Sequence, residues 1–293
     1  VDAGRTAKGL MLAAGSGVLY GSINVLAKPL DIHPFLKGAI AYLVSATVLS
    51  PFLMRLRIQR RDWPKVLAMG LVGGGLAPAL LFFGLRETAA ADTGLLLTAE
   101  LVATAALAFL FLGERFRPRE AAGLLCLLAA AVLVALASRT GGTGASTFRG
   151  VLLVLGAAVC WGVDNAVSAR LVGAYAAPGL IAVKGLLGGL ASLAAALVVR
   201  PALPSLPDAV AMAGLGVVSI AVSSLLFYFA LGAVGAARTS AMNVATTALV
   251  GAFGGALVLG EYLHALHAAA LALVLGGASL LARPGPRAAS VPS

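Results

Sequence analysis

Residues 92–123 run apolar for about one bilayer thickness, stop at Leu112-Gly113-Glu114 with three arginines close behind, and turn apolar again. Residues 239–270 repeat that plan, with Leu259-Gly260-Glu261 in the matching place. The same shift of 147 residues lays Phe82 on Phe229 and Ala89-Ala90 on Ala236-Ala237. A second stretch is doubled at a shift of 141: Tyr20-Gly21-Ser22-Ile23-Asn24 matches Trp161-Gly162-Val163-Asp164-Asn165. Pro34 and Pro178 also correspond. A chain written twice is two copies of one folding unit, and that constraint precedes every other reading.

The unit is a membrane unit. Hydrophobic residues make up 60% of the 293 and charged ones 11%, where soluble domains run near half and a quarter. Too little polar surface remains to wrap a water-soluble globule. A spanning helix needs about 20 apolar residues, and ten such runs are present, near 9–28, 35–54, 66–85, 92–112, 119–138, 150–170, 177–199, 209–232, 237–259 and 264–282. The glycine-, serine- and threonine-rich stretch at 140–149 falls at the midpoint. It divides the chain into a first repeat, 1–139, and a second, 150–293, of five spans each. The first run, behind Arg5 and Lys8, is too long for a signal-peptide core and reads as the first span. Val1, with arginine far outnumbering lysine, suggests an alternative start codon in a GC-rich bacterium.

The net charge of +10 would suggest nucleic acid in a soluble chain. Here its distribution reports orientation instead. With both termini cytoplasmic, fourteen lysines and arginines fall inside and six outside, while Lys184 lies within a span; this is the bias of the positive-inside rule. Five spans per repeat put the two copies in opposite orientations. The expected fold is therefore an all-α membrane protein of ten transmembrane helices, arranged as two inverted five-helix repeats around a central cavity. Inverted repeats of this kind build transporters, with the substrate site near the midplane where the copies meet.

The aromatic-Gly-x-x-Asn patterns of the first and sixth spans, and the Leu-Gly-Glu exits after the fourth and ninth, resemble the EamA-type drug/metabolite transporter (DMT) superfamily over about residues 9–282. The resemblance implies a multi-pass carrier of the bacterial inner membrane, commonly an exporter of amino acids or other small metabolites. The chain departs from the family pattern at Leu101 and Ala248, where proline often stands. Pro78, in the third span, is then the expected source of a bend.

Ionisable residues inside spans are costly and mark cavities or pairs. Glu100, Asp164 and Lys184 qualify. At 1.5 Å per residue, Asp164 and Lys184 lie about 10 Å deep in antiparallel neighbours and can pair, as a structural ion pair or as a substrate or proton site. Tyr20 with Asn24, and Trp161 with Asn165, share one face of their helices at i, i+4. An aromatic ring and an amide can hold a small zwitterion, or the amides can simply bond between helices. The expected substrate-binding set is Tyr20, Asn24, Glu100, Trp161, Asp164, Asn165, Lys184, Tyr228 and Asn243, with Thr98, Ser223 and Thr246 as weaker candidates. Gly70/Gly74, Gly185/Gly189 and Gly251/Gly255 have close-packing spacing. Glu114 and Glu261 are expected to have structural or gating roles, capping the helix that follows each.

Other classes fit poorly. His33, His264 and His267 stand at span ends, so Ser16 has no base at its depth, and two histidines alone make a poor metal site. Cys126 and Cys160 sit in apolar runs and read as small hydrophobes. The chain holds no Walker A loop to hydrolyse ATP. No cofactor, metal or nucleic acid is expected; the partners are a small-molecule substrate and the bilayer. The leading expectation is a secondary transporter working by alternating access, proton-coupled through Glu100 or Asp164. An uncoupled facilitator or a flippase of lipid-linked substrates on the same fold is the alternative.

Overall fold

The computed structural model describes residues 3–112, 115–139, 146–172 and 174–282. Gly113, Glu114 and linker residues 140–145 lie outside the described residues, as do Arg283 and Arg287. The described elements are helices: α1 (Ala3–Leu26), α2 (Pro34–Val48), α3 in three consecutive pieces (Trp63–Ala68, Met69–Leu76, Ala77–Leu85), α4 in two (Ala90–Leu96, Ala99–Leu112) and α5 (Pro118–Arg139). The second half follows as α6 (Phe148–Ala169), α7 (Ala177–Val199), α8 in three pieces (Leu206–Leu215, Gly216–Val222, Ser223–Val234), α9 (Ala236–Leu259) and α10 (Ala265–Ala282).

Among the described residues nine helices are long and apolar enough to cross a membrane, and α2 is a shorter apolar helix. The expected second span, 35–54, is interrupted at Leu49 and resumes as the single turn Ser50–Leu53. Pro51 explains the break, because it has no N–H to give the Thr47 carbonyl four residues back and its ring crowds that carbonyl.

The packing repeats with the sequence. α1 lies against α8 and α9, and α6 lies against α3 and α4; α2 pairs with α7, α5 with α10, and α4 with α9. Exchanging each helix for the one five places later returns the same set of neighbours. Even the crossing points correspond. A Cβ added at Gly21 would meet Thr247 and Val250, and one at Gly162 would meet Ala103 and Thr104; Ala103 and Val250 are 147 apart. Because each half crosses five times, the second is inserted upside down relative to the first. The exchange axis therefore lies in the membrane plane.

Both halves carry a π-helical segment in the third helix, Met69–Leu76 and Gly216–Val222, beginning 147 residues apart. Proline is not the shared cause, since the position of Pro78 is held by Leu225 in the second copy. In the first copy Pro78 has a further consequence. The Ala77 N–H bonds Val72 O, five residues back, so the next carbonyl in that ladder, Gly73 O, falls opposite Pro78, which has no N–H to offer. The Trp161 indole takes it, Nε1 donating at 2.9 Å.

α4 breaks without proline, at Leu97–Thr98, whereas α9 runs unbroken. Helices approach closely where glycines meet: a Cβ on Gly188 would strike the Gly74 backbone, and one on Gly94 would come within 3.0 Å of Gly251 Cα. Small residues at such crossings let helices pack by van der Waals contact where lipid offers no hydrophobic drive. The outward surface carries Phe109, Phe111, Leu136, Leu197, Val198 and Leu257, all exposed, as a lipid-facing wall requires.

Candidate functional site

A cavity of ≈ 160 Å³ lies between the halves. From the first half it takes Ser16 and Tyr20 of α1, Tyr42 of α2, Met69 of α3 and Glu100 of α4. From the second it takes Trp161, Asp164, Asn165 and Ser168 of α6, Lys184 of α7, residues of α8 including Ser223, Phe227 and Tyr228, and Asn243 of α9. Ser168 stands at the end of α6, Leu180 and Ile181 near the start of α7, and Asn243 in the first third of α9. Those helix ends share the face on which α1 begins and α10 ends. The cavity thus occupies the half of the protein nearer the termini, with Glu100 at its inner limit in mid-helix.

Eight of the nine expected positions line this cavity: Tyr20, Glu100, Trp161, Asp164, Asn165, Lys184, Tyr228 and Asn243. Lys184 Nζ and Asp164 Oδ2 form an ion pair, and Ser168 Oγ donates to Asp164 Oδ1 at 3.2 Å. Gly73 makes room for that carboxylate, because a Cβ there would strike the Asp164 side chain. Glu100 Oε1 accepts from Asn165 Nδ2 at 2.9 Å, and the same amide reaches Thr104 Oγ1 at 3.2 Å. Tyr20 and Trp161 meet edge to face, centroids 5.9 Å apart. Asn243 Nδ2 donates to Ser16 Oγ at 2.9 Å, and Ser16 Oγ in turn donates to Ser223 O at 2.9 Å. The cavity therefore presents a charged pair, a second carboxylate held by an amide, and aromatic walls.

Asn24 is the exception. It is fully buried and does not line the cavity, and neither amide atom has a hydrogen-bond partner among the described residues. The i, i+4 spacing does place it on the face of Tyr20, but one turn deeper, where α1 is closed over by α9. Among the weaker candidates Ser223 lines the cavity. Thr98 is buried and donates to Leu95 O at 2.7 Å, and Thr246 donates to Met242 O at 2.9 Å. Sequence reasoning weighs Ser16 only as a nucleophile and passes over Tyr42, Ser168 and Phe227. Polarity within a span is the available signal for Ser16 and Tyr42, and the charged residues outweigh it.

The opposite face is closed by polar groups that converge on the amino end of α4. Glu261 accepts from Ala90 N at 2.8 Å and from Ala91 N at 3.0 Å, and Lys28 Nζ reaches Glu261 Oε1 at 2.6 Å and Thr88 O at 2.9 Å. The sequence suggests that Glu261 caps the helix that follows it, α10; it caps α4 instead, in the other half. Beside it, Asp92 Oδ1 meets His267 Nε2 at 2.8 Å, and Ser146 Oγ donates to Asp92 Oδ2 at 2.5 Å. His267 Nδ1 accepts from His264 N at 3.0 Å, which leaves Nε2 to donate to the carboxylate. Among the described residues no group of three or more histidine, cysteine, aspartate or glutamate side chains could hold a metal.

Comparison with known proteins agrees with this architecture. An uncharacterized transporter of Methanothermobacter thermautotrophicus is 26% identical over 279 residues, which cover 86% of this chain and 78% of that protein. A protein crystal structure superposes with a TM-score of 0.67 at 20% identity, covering 94% of this chain and 97% of the other, a likeness of fold alone. The profile of the EamA-like transporter family matches twice, at residues 7–136 and 148–283. Two copies of the family's unit, one in each half, make this chain a member of the EamA-like transporters of the DMT superfamily: a multi-pass membrane transporter rather than an enzyme.

Proposed function

We propose that this transporter exports amino acids or related small metabolites across a bacterial inner membrane by alternating access, and that the structure represents the state open toward the termini. The observation that carries the reading is the cavity itself. It lies between the two halves, is lined by both, and brings Glu100, the Asp164–Lys184 pair and the Asn165 and Asn243 amides together with aromatic rings. A zwitterion finds both its counter-charges here: Glu100 for an ammonium group and Lys184 for a carboxylate. Its size suits one small metabolite, since drug-sized ligands occupy pockets of roughly 300–1,000 Å³. The network around Glu261 closes the opposite side, as a carrier with one gate shut requires.

Glu100 is the side chain on which coupling would turn, because it is the cavity carboxylate that no lysine or arginine pairs among the described residues. Metabolite efflux compared between cells with and without the protein tests the carrier reading; no difference in any small metabolite would overturn it. Glu100→Gln should lower efflux about tenfold, the factor expected when the substrate forfeits one charge-assisted hydrogen bond. In proteoliposomes, transport by the wild type that ignores an imposed pH gradient would make the protein an uncoupled facilitator.

A further inference from the structure

Asn24 and Asn165 occupy the same place in the two halves, one turn beyond Gly21 and Gly162, and those glycines sit at corresponding crossings. Their environments are opposite. Asn165 is exposed in the cavity and bonds Glu100 and Thr104, while Asn24 is sealed with both amide atoms unpartnered among the described residues. The sequence explains the missing partners. A shift of 147 carries Glu100 to Thr247 and Thr104 to Gly251. Thr247 Oγ1 is spent on Gly17 O at 3.2 Å, and Gly251 has no side chain.

We propose that Asn24 is a ligand-binding position of the opposite-facing state, contacting the transported solute after the cavity reopens away from the termini. The proposal rests on the alternating-access reading above. In a carrier built from inverted copies, the second state exchanges the conformations of the halves. The α1–α9 crossing then takes the geometry that α6–α4 has here, and Asn24 takes the exposed position of Asn165. A buried amide without a partner is unfavourable, so its presence here weighs against the observed state and toward the one in which it is wet. The solute it would meet is a small polar metabolite with a donor or acceptor for a carboxamide, seen this time without a carboxylate beside it. The two faces of the carrier would thus bind one substrate with different charge, tighter on the Glu100 side.

The test uses a parent in which Cys126 and Cys160 are alanine, carrying either Asn24→Cys or Asn165→Cys. A membrane-impermeant maleimide added to the face opposite the termini should label position 24, and the same reagent on the terminal face should label position 165. Glu261→Ala in the same background should speed labelling at 24. Asn24→Ala, in an otherwise native protein, should raise the melting temperature while slowing transport by roughly tenfold, the factor carried by about one hydrogen bond. Position 24 unreactive while 165 reacts would overturn the proposal, and so would an Asn24→Ala protein that melts earlier and transports normally. Efflux by the cysteine-free parent reports on the carrier reading separately, because it does not involve Asn24.

Discussion

Lys184→Ala should destabilise the protein by about 3–5 kcal/mol and abolish transport, because it leaves Asp164 charged, buried and unpaired. Asp164 is only 2% exposed. Among the described residues its other hydrogen-bond partner is the Ser168 hydroxyl, and Gly73 packs against its carboxylate so that it has little room to turn away. The double variant Lys184→Met with Asp164→Leu separates the two roles of the pair. Replacing a buried ion pair by apolar residues of similar volume is often neutral or stabilising, so the double variant should regain the wild-type melting temperature in detergent. It should not regain transport, since the cavity would then be without the lysine we propose as the counter-charge of a substrate carboxylate. A double variant that recovers both would reduce the pair to scaffolding and remove Lys184 from the site.

This pair was legible in the sequence, and it is instructive why Asn24 was not. Asp164 and Lys184 sit at similar depth in neighbouring helices joined by a short loop, so depth alone brings them within reach. Asn24 needed more: which neighbour covers its face. In helices apolar nearly all round, periodicity does not say which stripe faces lipid, cavity or protein. The answer lies in the crossing of α1 with α9 at Gly21 and Val250, a tertiary fact. The same gap hid the true partner of Glu261. A carboxylate after a helix suggests capping of the next helix by simple adjacency, yet the inverted arrangement brings the amino end of α4 closer than that of α10. The doubled sequence did contain both halves, the five-helix exchange of neighbours and the corresponding positions of Tyr20 and Trp161. It did not show the paired π-segments, because Met69–Leu76 and Gly216–Val222 share a position but no residue pattern that marks a widened turn.

Glu261→Ala should open the face opposite the termini, shifting the balance between the two states by about 2–4 kcal/mol, or roughly thirtyfold and upward. The carboxylate holds two backbone N–H groups of α4 and the ammonium of Lys28 at once. Bonds to an ionised group are the strong kind, and here they add to the favourable placement of negative charge at a helix amino end. Removing them leaves Lys28 with Thr88 O and frees Ala90–Leu96, a seven-residue piece already separated from the rest of α4 by the break at Leu97–Thr98. The measurement is maleimide reactivity of a cysteine at Ala91, a residue now 1% exposed: it should rise about thirtyfold with Glu261→Ala and less with Lys28→Met, which keeps both backbone bonds. A cysteine at Ala182, buried near the start of α7 in a cluster apart from Ala90–Leu96, should stay unreactive, which excludes global unfolding as the cause. If reactivity at 91 does not change, the apolar packing of Ala90, Leu95 and Leu96 closes this face by itself, and Glu261 is a helix cap without a part in gating.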